Sequence, residues 1–248
     1  MDLSFHVRLI GTFSPDLVCA PAEAIASEWL AENSPDFDQF PVRRGDNTIG
    51  ILCREGDHGD SLVSEVMQPL SDGLIVSADM ALGELIPHLR ESHYQLVVRG
   101  GRIDGLVTQS DLLKLPVRMF LFGNISHLEV CLRALVRQVA PWPTWIELLS
   151  APRRRRLSSQ YSMLQSSNME PDSLELTNFG DVVRVLSQIP ELGSEFSEQA
   201  ESIRQLRNDI AHAKTFISSE ADVREFVQRF IRTRDLIDRV SRLLKAAK

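Results

Sequence analysis

The sequence predicts an α+β protein in two parts, a tandem of two helix–strand–strand repeats and then an all-α helical bundle. Three observations carry that prediction. Residues 37–56 and 93–111 read as the same strand–turn–strand unit, each behind an amphipathic helical stretch. Beyond residue 117 the apolar positions recur at three- and four-residue spacing, the period of a helix face. The chain has 248 residues, 43% hydrophobic and 25% charged, which suits one large or two medium folded domains.

The first repeat reads FDQFPVRRGDNTIGILCREG (37–56) and the second HYQLVVRGGRIDGLVTQSD (93–111). Gln39 aligns with Gln95, Val42 with Val98, Arg43 with Arg99, Gly45 with Gly101 and Gly50 with Gly105. On that alignment the second copy has one residue fewer in its turn. The preceding helices are AEAIASEWLAEN (22–33) and ALGELIPHLRES (81–92). Two units that cannot bury their sheets alone are expected to pack against each other. The expected domains are 1–117, in copies at about 5–60 and 62–117, and 118–248.

In the second part, Leu121, Ile125, Leu128, Leu132, Leu135 and Val139 draw one apolar stripe of a long helix. Val227, Phe230, Ile237, Val240 and Leu244 draw another near the C-terminus. Residues 178–189 and 195–217 pass the same test between them. Ser218–Ser219 followed by Asp222 marks a stop and a capped restart. The prolines of APWPTW (140–145) break the first helix. Four or five helices with short connections make a small bundle.

The net charge of −7 is unevenly placed. Residues 1–117 hold 8 Lys+Arg against 18 Asp+Glu, and residues 118–248 hold 19 against 16. The acidic part is a poor polyanion binder by bulk charge. The densest basic run is Arg153, Arg154, Arg155 and Arg156, read as a solvated loop or helix edge or as a phosphate contact toward RNA. Cys19, Cys53 and Cys131 are odd in number, far apart and set among apolar neighbours, which points to buried thiols and a cytoplasmic location. No Cys/His cluster has metal-ligand spacing, so no metal is expected. Neither a basic leader nor an apolar run near the roughly 18–20 residues of a membrane span is evident, so no membrane association is expected. Phosphate-binding loops, dinucleotide fingerprints and hydrolase triads are also missing from the sequence.

The segments LVSEVMQPL (62–70), LIVSADMALGELIPHL (74–89) and YQLVVRGGRIDGLVTQSDLL (94–113) resemble a CBS domain, and residues 5–117 resemble a CBS pair. The resemblance implies an adenine-type nucleotide ligand, contacted through ribose or phosphate by Thr108 and Asp111. A carboxylate can accept both hydroxyls of a ribose, and a threonine hydroxyl can donate to a phosphate. The same pair also reads as a helix start, with Thr108 as cap and Asp111 in the first turn. The first copy has Cys53 in place of Thr108 and Gly56 in place of Asp111, so at most one well-formed ribose site is expected.

In RQLRNDIAHAK (204–214), Arg207, Asn208 and His212 resemble the Arg-x(4–6)-His motif of HEPN domains, and GNISHLEVCLRALVR (123–137) resembles that family's opening helix. The resemblance implies a homodimeric, metal-independent endoribonuclease that cleaves RNA through the ribose 2′-hydroxyl and requires no cofactor. Arginine suits stabilisation of phosphorane charge, histidine suits proton transfer, and Asn208 suits orienting either. Glu129 and Asp209 are candidate partners for the arginine. Such a nuclease, if toxin-like, would have an inhibitory protein partner. The alternative is a non-catalytic regulatory or scaffold protein, in which the two modules sense a ligand and dimerise. On that reading RNDIAH is the polar edge of an ordinary helix.

Overall fold

The computed structural model describes residues 5–33, 35–167, 169, 172–189, 192, 195–211 and 217–246. The chain divides into two compact units after Arg118.

The first unit runs β1 (Thr12–Phe13), β2 (Ala20–Pro21), α1 (Ala26–Glu32), β3 (Gln39–Arg44), β4 (Asn47–Cys53), α2 (Val63–Val66), β5 (Gln68–Pro69), β6 (Ile75–Ser77), α3 (Leu82–Glu91), β7 (Tyr94–Arg99) and β8 (Arg102–Thr108). Its strands form two sheets, ordered β1-β8-β7-β6 and β5-β4-β3-β2. These are the same arrangement twice, with the edge strands exchanged. β1, from the start of the chain, completes the sheet of the second hairpin. β5, from the second repeat, completes the sheet of the first.

Strand register corrects the alignment of the repeats. Gln39 faces Cys53 across the first hairpin, and Tyr94 faces Thr108 across the second. Gln39 is therefore the counterpart of Tyr94, and Cys53 of Thr108. Both hairpins turn on two residues, and both carry an irregularity at the same place, between Val42 and Arg43 and between Val97 and Val98. The shorter second turn expected from residue matching comes from aligning Arg43 with Arg99. The pairing sets Arg44 against Arg99 instead, because each arginine closes its hairpin opposite Asn47 or Arg102.

Gly50 and Gly105 hold equivalent places, and each lies where an exchanged strand crosses. A Cβ on Gly50 would stand 2.5 Å from the Gln68 carbonyl, and one on Gly105 would stand 2.5 Å from the Phe13 ring. Both contacts are far inside van der Waals range, so a side chain there would push the edge strand away.

Helix α3 forms on Leu82, Leu85, Ile86 and Leu89, all buried on one face. Helix α1 starts at Ala26 rather than at residue 22, because Ala20–Pro21 pairs with β3 and the Ala22 amide donates to the Arg43 carbonyl. Phe40, Val42 and Leu52 of the first hairpin pack with Ala20, Ala26 and Val63 in one cluster. A four-membered clasp joins the two sheets. Buried Asp104 accepts from Arg99 at 2.5 Å and lies 3.6 Å from Arg43, which donates to Ser14 Oγ at 2.9 Å. Burial alone would raise the Asp104 carboxyl; the Arg99 and Ser14 hydrogen bonds outweigh it and hold it below the usual carboxylate value.

After β8 a short 3-10 turn (Gln109–Leu113) leads into α4 (Leu115–Val139). Then follow α5 (Thr144–Glu147), α6 (Ala151–Ser166), α7 (Phe179–Leu186), α8 (Phe196–Ala211) and α9 (Glu220–Ala246), the all-α part the sequence predicts. The α4 stripe is Leu121, Ile125, Leu128, Leu132 and Leu135, but it ends on Val136, because Val139 is exposed at the helix end. In α9, Leu236 is buried and Ile237 is not fully so, and Thr233 takes a core position by donating its hydroxyl to the Arg229 carbonyl. The restart before α9 is reciprocal. Ser219 Oγ accepts from the Asp222 amide, and Asp222 accepts from the Ser218 amide.

The sequence reading offers a loop or a helix edge for residues 153–156, and the structure forms the helix α6 there. One carboxylate fixes it: Asp181 caps α7 by accepting from the Asn178 amide and also takes the Arg153 guanidinium at 2.6 Å. By length and composition α4 could cross a membrane, with a mean hydropathy of 1.3 over its best window, of which 39% is buried within the protein. The sequence reading drew Leu121 to Val139 as one long helix and expected no span, because Arg118, Glu129, Arg133 and Arg137 interrupt its apolar run.

Candidate functional site

Strand β8 ends at Thr108, and the chain turns there through Gln109–Leu113. The turn is closed by Asp111, whose Oδ2 accepts from the Thr108 amide at 2.6 Å and from Thr108 Oγ1 at 3.2 Å. Its Oδ1 lies 2.7 Å from Lys114 Nζ, which also donates to the Ile10 carbonyl at 2.5 Å. The helix-start reading of Thr108 and Asp111 is therefore realised in the structure. The same two residues also line a cavity of about 510 Å³, within the range that takes a small-molecule ligand.

Both repeats build that cavity. Thr12, Leu17 and Val18 come from the first segment, Phe37 to Phe40 from the entry to β3, and Leu106 and Thr108 to Asp111 from the second hairpin. Its wall has apolar and polar sides, with Asp16, Asp36, Asp38 and Asp111 as carboxylates and Lys114 as the ammonium.

In the other half a ring stands where this cavity has Gln39, and the hollow that remains beside Gly56 and Gly59 is lined by Arg54, Asp57 and Asp60 instead. Tyr94, the counterpart of Gln39, is buried against Cys53, Leu74 and Ile75. Its hydroxyl donates to Gln68 Oε1 at 3.0 Å, and Gln68 is the counterpart of Thr12. Burial first, and the neighbouring Cys53 second, push the Tyr94 phenol up to about 12. Burial likewise raises the Cys53 thiol, so this cysteine stays protonated and unreactive near neutral pH. Cys53 and Gly56 replace the two polar groups, and a ring replaces Gln39.

In the helical part, α8 buries Phe196, Ala200, Ile203, Leu206 and Ile210. Arg207 and Asn208 lie beside that stripe, both half-buried rather than on an open solvent face. Arg207 Nε is 3.0 Å from Glu129 Oε1 of α4, and Glu129 also meets Arg133 at 3.7 Å. Asp209 turns the other way, to Arg229 of α9 at 3.5 Å. His212 lies outside the described residues. Of the arginine run, Arg153 is held by Asp181, and Arg154, Arg155 and Arg156 are exposed. Among the described residues no group of three His, Cys, Asp or Glu side chains is placed to hold a metal ion.

The model of the CBS domain family matches residues 63–118. The N-terminal unit is a CBS-domain pair. The matched segment contains Thr108, Asp111 and the exchanged strand β5, and its twin is recognisable by the repeated sheet order. No curated protein matches the chain. Among solved structures, the CBS domain of the bacterial CNNM/CorC family Mg2+ transporter in complex with ATP is 26% identical, over 46% of this chain and 87% of that one, with a TM-score of 0.39. The CBS-pair protein CBSX2 from Arabidopsis thaliana is 16% identical, over 47% and 97%, with a TM-score of 0.40.

Sequence reasoning placed Thr108 and Asp111 in the CBS pair but missed Lys114 and Tyr94. Lys114 lies one turn past Asp111, an (i, i+3) ion-pair spacing that the sequence does display. Tyr94 stayed hidden because the residue alignment had set Gln95, not Tyr94, opposite Gln39.

Proposed function

We propose that this protein is a nucleotide-responsive regulator: its CBS pair binds one adenine nucleotide per chain, and its helical bundle is the output part. The observation that supports this reading is the asymmetry of the two hollows, one open at Thr108 and Asp111 and the other without those groups and narrowed by Tyr94. A carboxylate has about four acceptor positions. Thr108 and Lys114 already use three of those on Asp111. A ribose diol therefore displaces a partner, and the half-exposed Lys114 is the one that yields, giving up its contacts with Asp111 and the Ile10 carbonyl. Its ammonium then serves a phosphate. Four carboxylates around one ammonium repel each further phosphate, so the ligand is a monophosphate such as AMP in preference to ATP without a divalent cation.

Calorimetric titration with adenosine, AMP, ADP and ATP in EDTA tests this. One site per chain is expected, with affinity falling from AMP to ATP. Absence of binding for all four, or two equal sites, overturns it. The proposal includes a cytoplasmic homodimer. Free cysteines support the location, and exposed Met119, Phe122 and Val130 on α4 support self-association, which sedimentation would measure.

A second reading is the metal-independent endoribonuclease of HEPN type, with Arg207, Asn208 and His212 catalytic at a dimer interface and an inhibitory partner in the toxin-like case. It is favoured by the seating of Arg207, half-buried and held by Glu129. RNA cleavage in EDTA, lost in His212→Ala and in Arg207→Ala with the fold intact, is its expected outcome. Equal cleavage by wild type and both variants rejects it.

A further inference from the structure

We infer that helix α6 and the turn before it form a binding face for single-stranded RNA, whether or not the chain cuts RNA. Helix α6 buries one residue, Leu157. Its sequence, APRRRRLSSQYSMLQS, holds four arginines and no carboxylate. A helix this polar gains little from its own packing, so its side chains are free to serve a partner. Arg153 is already engaged by Asp181. Arg154, Arg155 and Arg156 are exposed and make no ion pair among the described residues. Of the carboxylates in the adjoining segments, Asp181 is taken by Arg153 and Asp172 by Arg137, while Glu175 is exposed. The exposed Glu147 of α5 is the remaining acidic group just before the helix.

Aromatic rings stand beside this charge. Arg154 and Tyr161 are seven residues apart, two turns along one face, or about 10 Å. The Tyr161 ring lies 5.4 Å from Trp142 at an interplanar angle of 35°. Trp142 is 48% exposed, and buried Trp145 anchors it from behind at 5.8 Å. Exposed guanidiniums beside an anchored, open aromatic pair are what an unpaired nucleic-acid strand requires: cations for its phosphates and a ring face for its bases. Ser158, Ser159 and Ser162, between and beyond them, offer hydroxyls to phosphate and to the ribose 2′-OH. A lipid surface would need an apolar wedge, and on α6 the one exposed large apolar side chain is Met163. An acidic peptide would use the arginines and leave the aromatic pair idle.

The test is fluorescence anisotropy of a labelled 15-nucleotide oligouridylate with the full chain, across a salt series. Three arginines predict a log–log salt slope of about −2 for the wild type. The triple variant Arg154→Ala, Arg155→Ala, Arg156→Ala is expected to bind at least ten-fold more weakly, with most of that slope gone. Trp142→Ala is expected to bind about ten-fold more weakly with the slope kept, as loss of one stacked base requires. Arg155→Glu alone, at an exposed side chain, is expected to weaken binding without altering the circular-dichroism melt. Wild-type affinity in the triple variant or in Arg155→Glu overturns the inference. So does equal or tighter binding by anionic vesicles or polyglutamate.

Discussion

The two halves of the CBS pair follow one backbone path and present opposite surfaces. Each has a two-residue hairpin, an irregularity at the same strand position, a glycine under the exchanged strand and a helix on the outside. Yet one hollow is an open cavity and the other holds the Tyr94 ring. Four positions separate them: Gln39 against Tyr94, Thr108 against Cys53, Asp111 against Gly56 and Lys114 against Gly59. The architecture depends on glycines and strand pairing, whereas the ligand chemistry depends on a few side chains at strand ends. A duplicated fold can thus lose one site without losing the frame that supports the other.

The comparison breaks most visibly at Tyr94. Tyr94→Ala empties a buried aromatic position and is expected to cost about 3–5 kcal/mol in denaturant unfolding. A cost under about 1 kcal/mol would mean that the ring is not a core element. Asp104→Asn loosens the clasp between the sheets and is expected to cost about 1–3 kcal/mol. The pH dependence has a defined sign. Folding lowers the Asp104 pKa, so its contribution is present above the unfolded value of about 3.9 and disappears as pH falls through the lower folded value. Wild-type melting temperature should therefore drop below about pH 4 more steeply than that of the variant.

Asp111→Asn should weaken AMP binding about ten-fold, equivalent to about 1.4 kcal/mol, while Cys53→Thr should leave the stoichiometry at one because Tyr94 still stands in that hollow. Tyr94→Phe keeps the ring and removes its bond to Gln68, at about 1 kcal/mol. Folding raises this phenol from 10.0 to about 12. Its stabilising effect is full below pH 10 and is lost as pH rises toward 12, which Tyr94→Phe should abolish in an alkaline stability series. The smallest effect is expected at Glu129→Gln, under about 1 kcal/mol, since Arg207 is partly solvated.

Much of the fold was legible because it rests on short-range patterns. The alternation in the hairpins, the stripe of α4 and the Ser219–Asp222 cap are all local signals. The swapped edge strands were not legible, since β1 and β5 are two residues each and their partners lie far away in sequence. Helix α6 was left open between loop and helix for a related reason. Its apolar face is one leucine, and what holds it is a distant carboxylate on α7. At the site, Thr108 and Asp111 stood out by motif. The ring in the other hollow depended on register, and a one-residue slip in alignment moves a side chain to the opposite face.

The exchange of β1 and β5 also bears on how the chain is made. Thr12 pairs with Leu106, so β1 leaves the ribosome well ahead of its partner and waits for almost the whole unit. The first hairpin lacks its own edge until Gln68 and Pro69 arrive. Neither repeat is a finished product by itself, and a truncation at residue 60 would leave one sheet with a bare edge and a stray strand. Each sheet is closed only when a strand arrives from the other repeat.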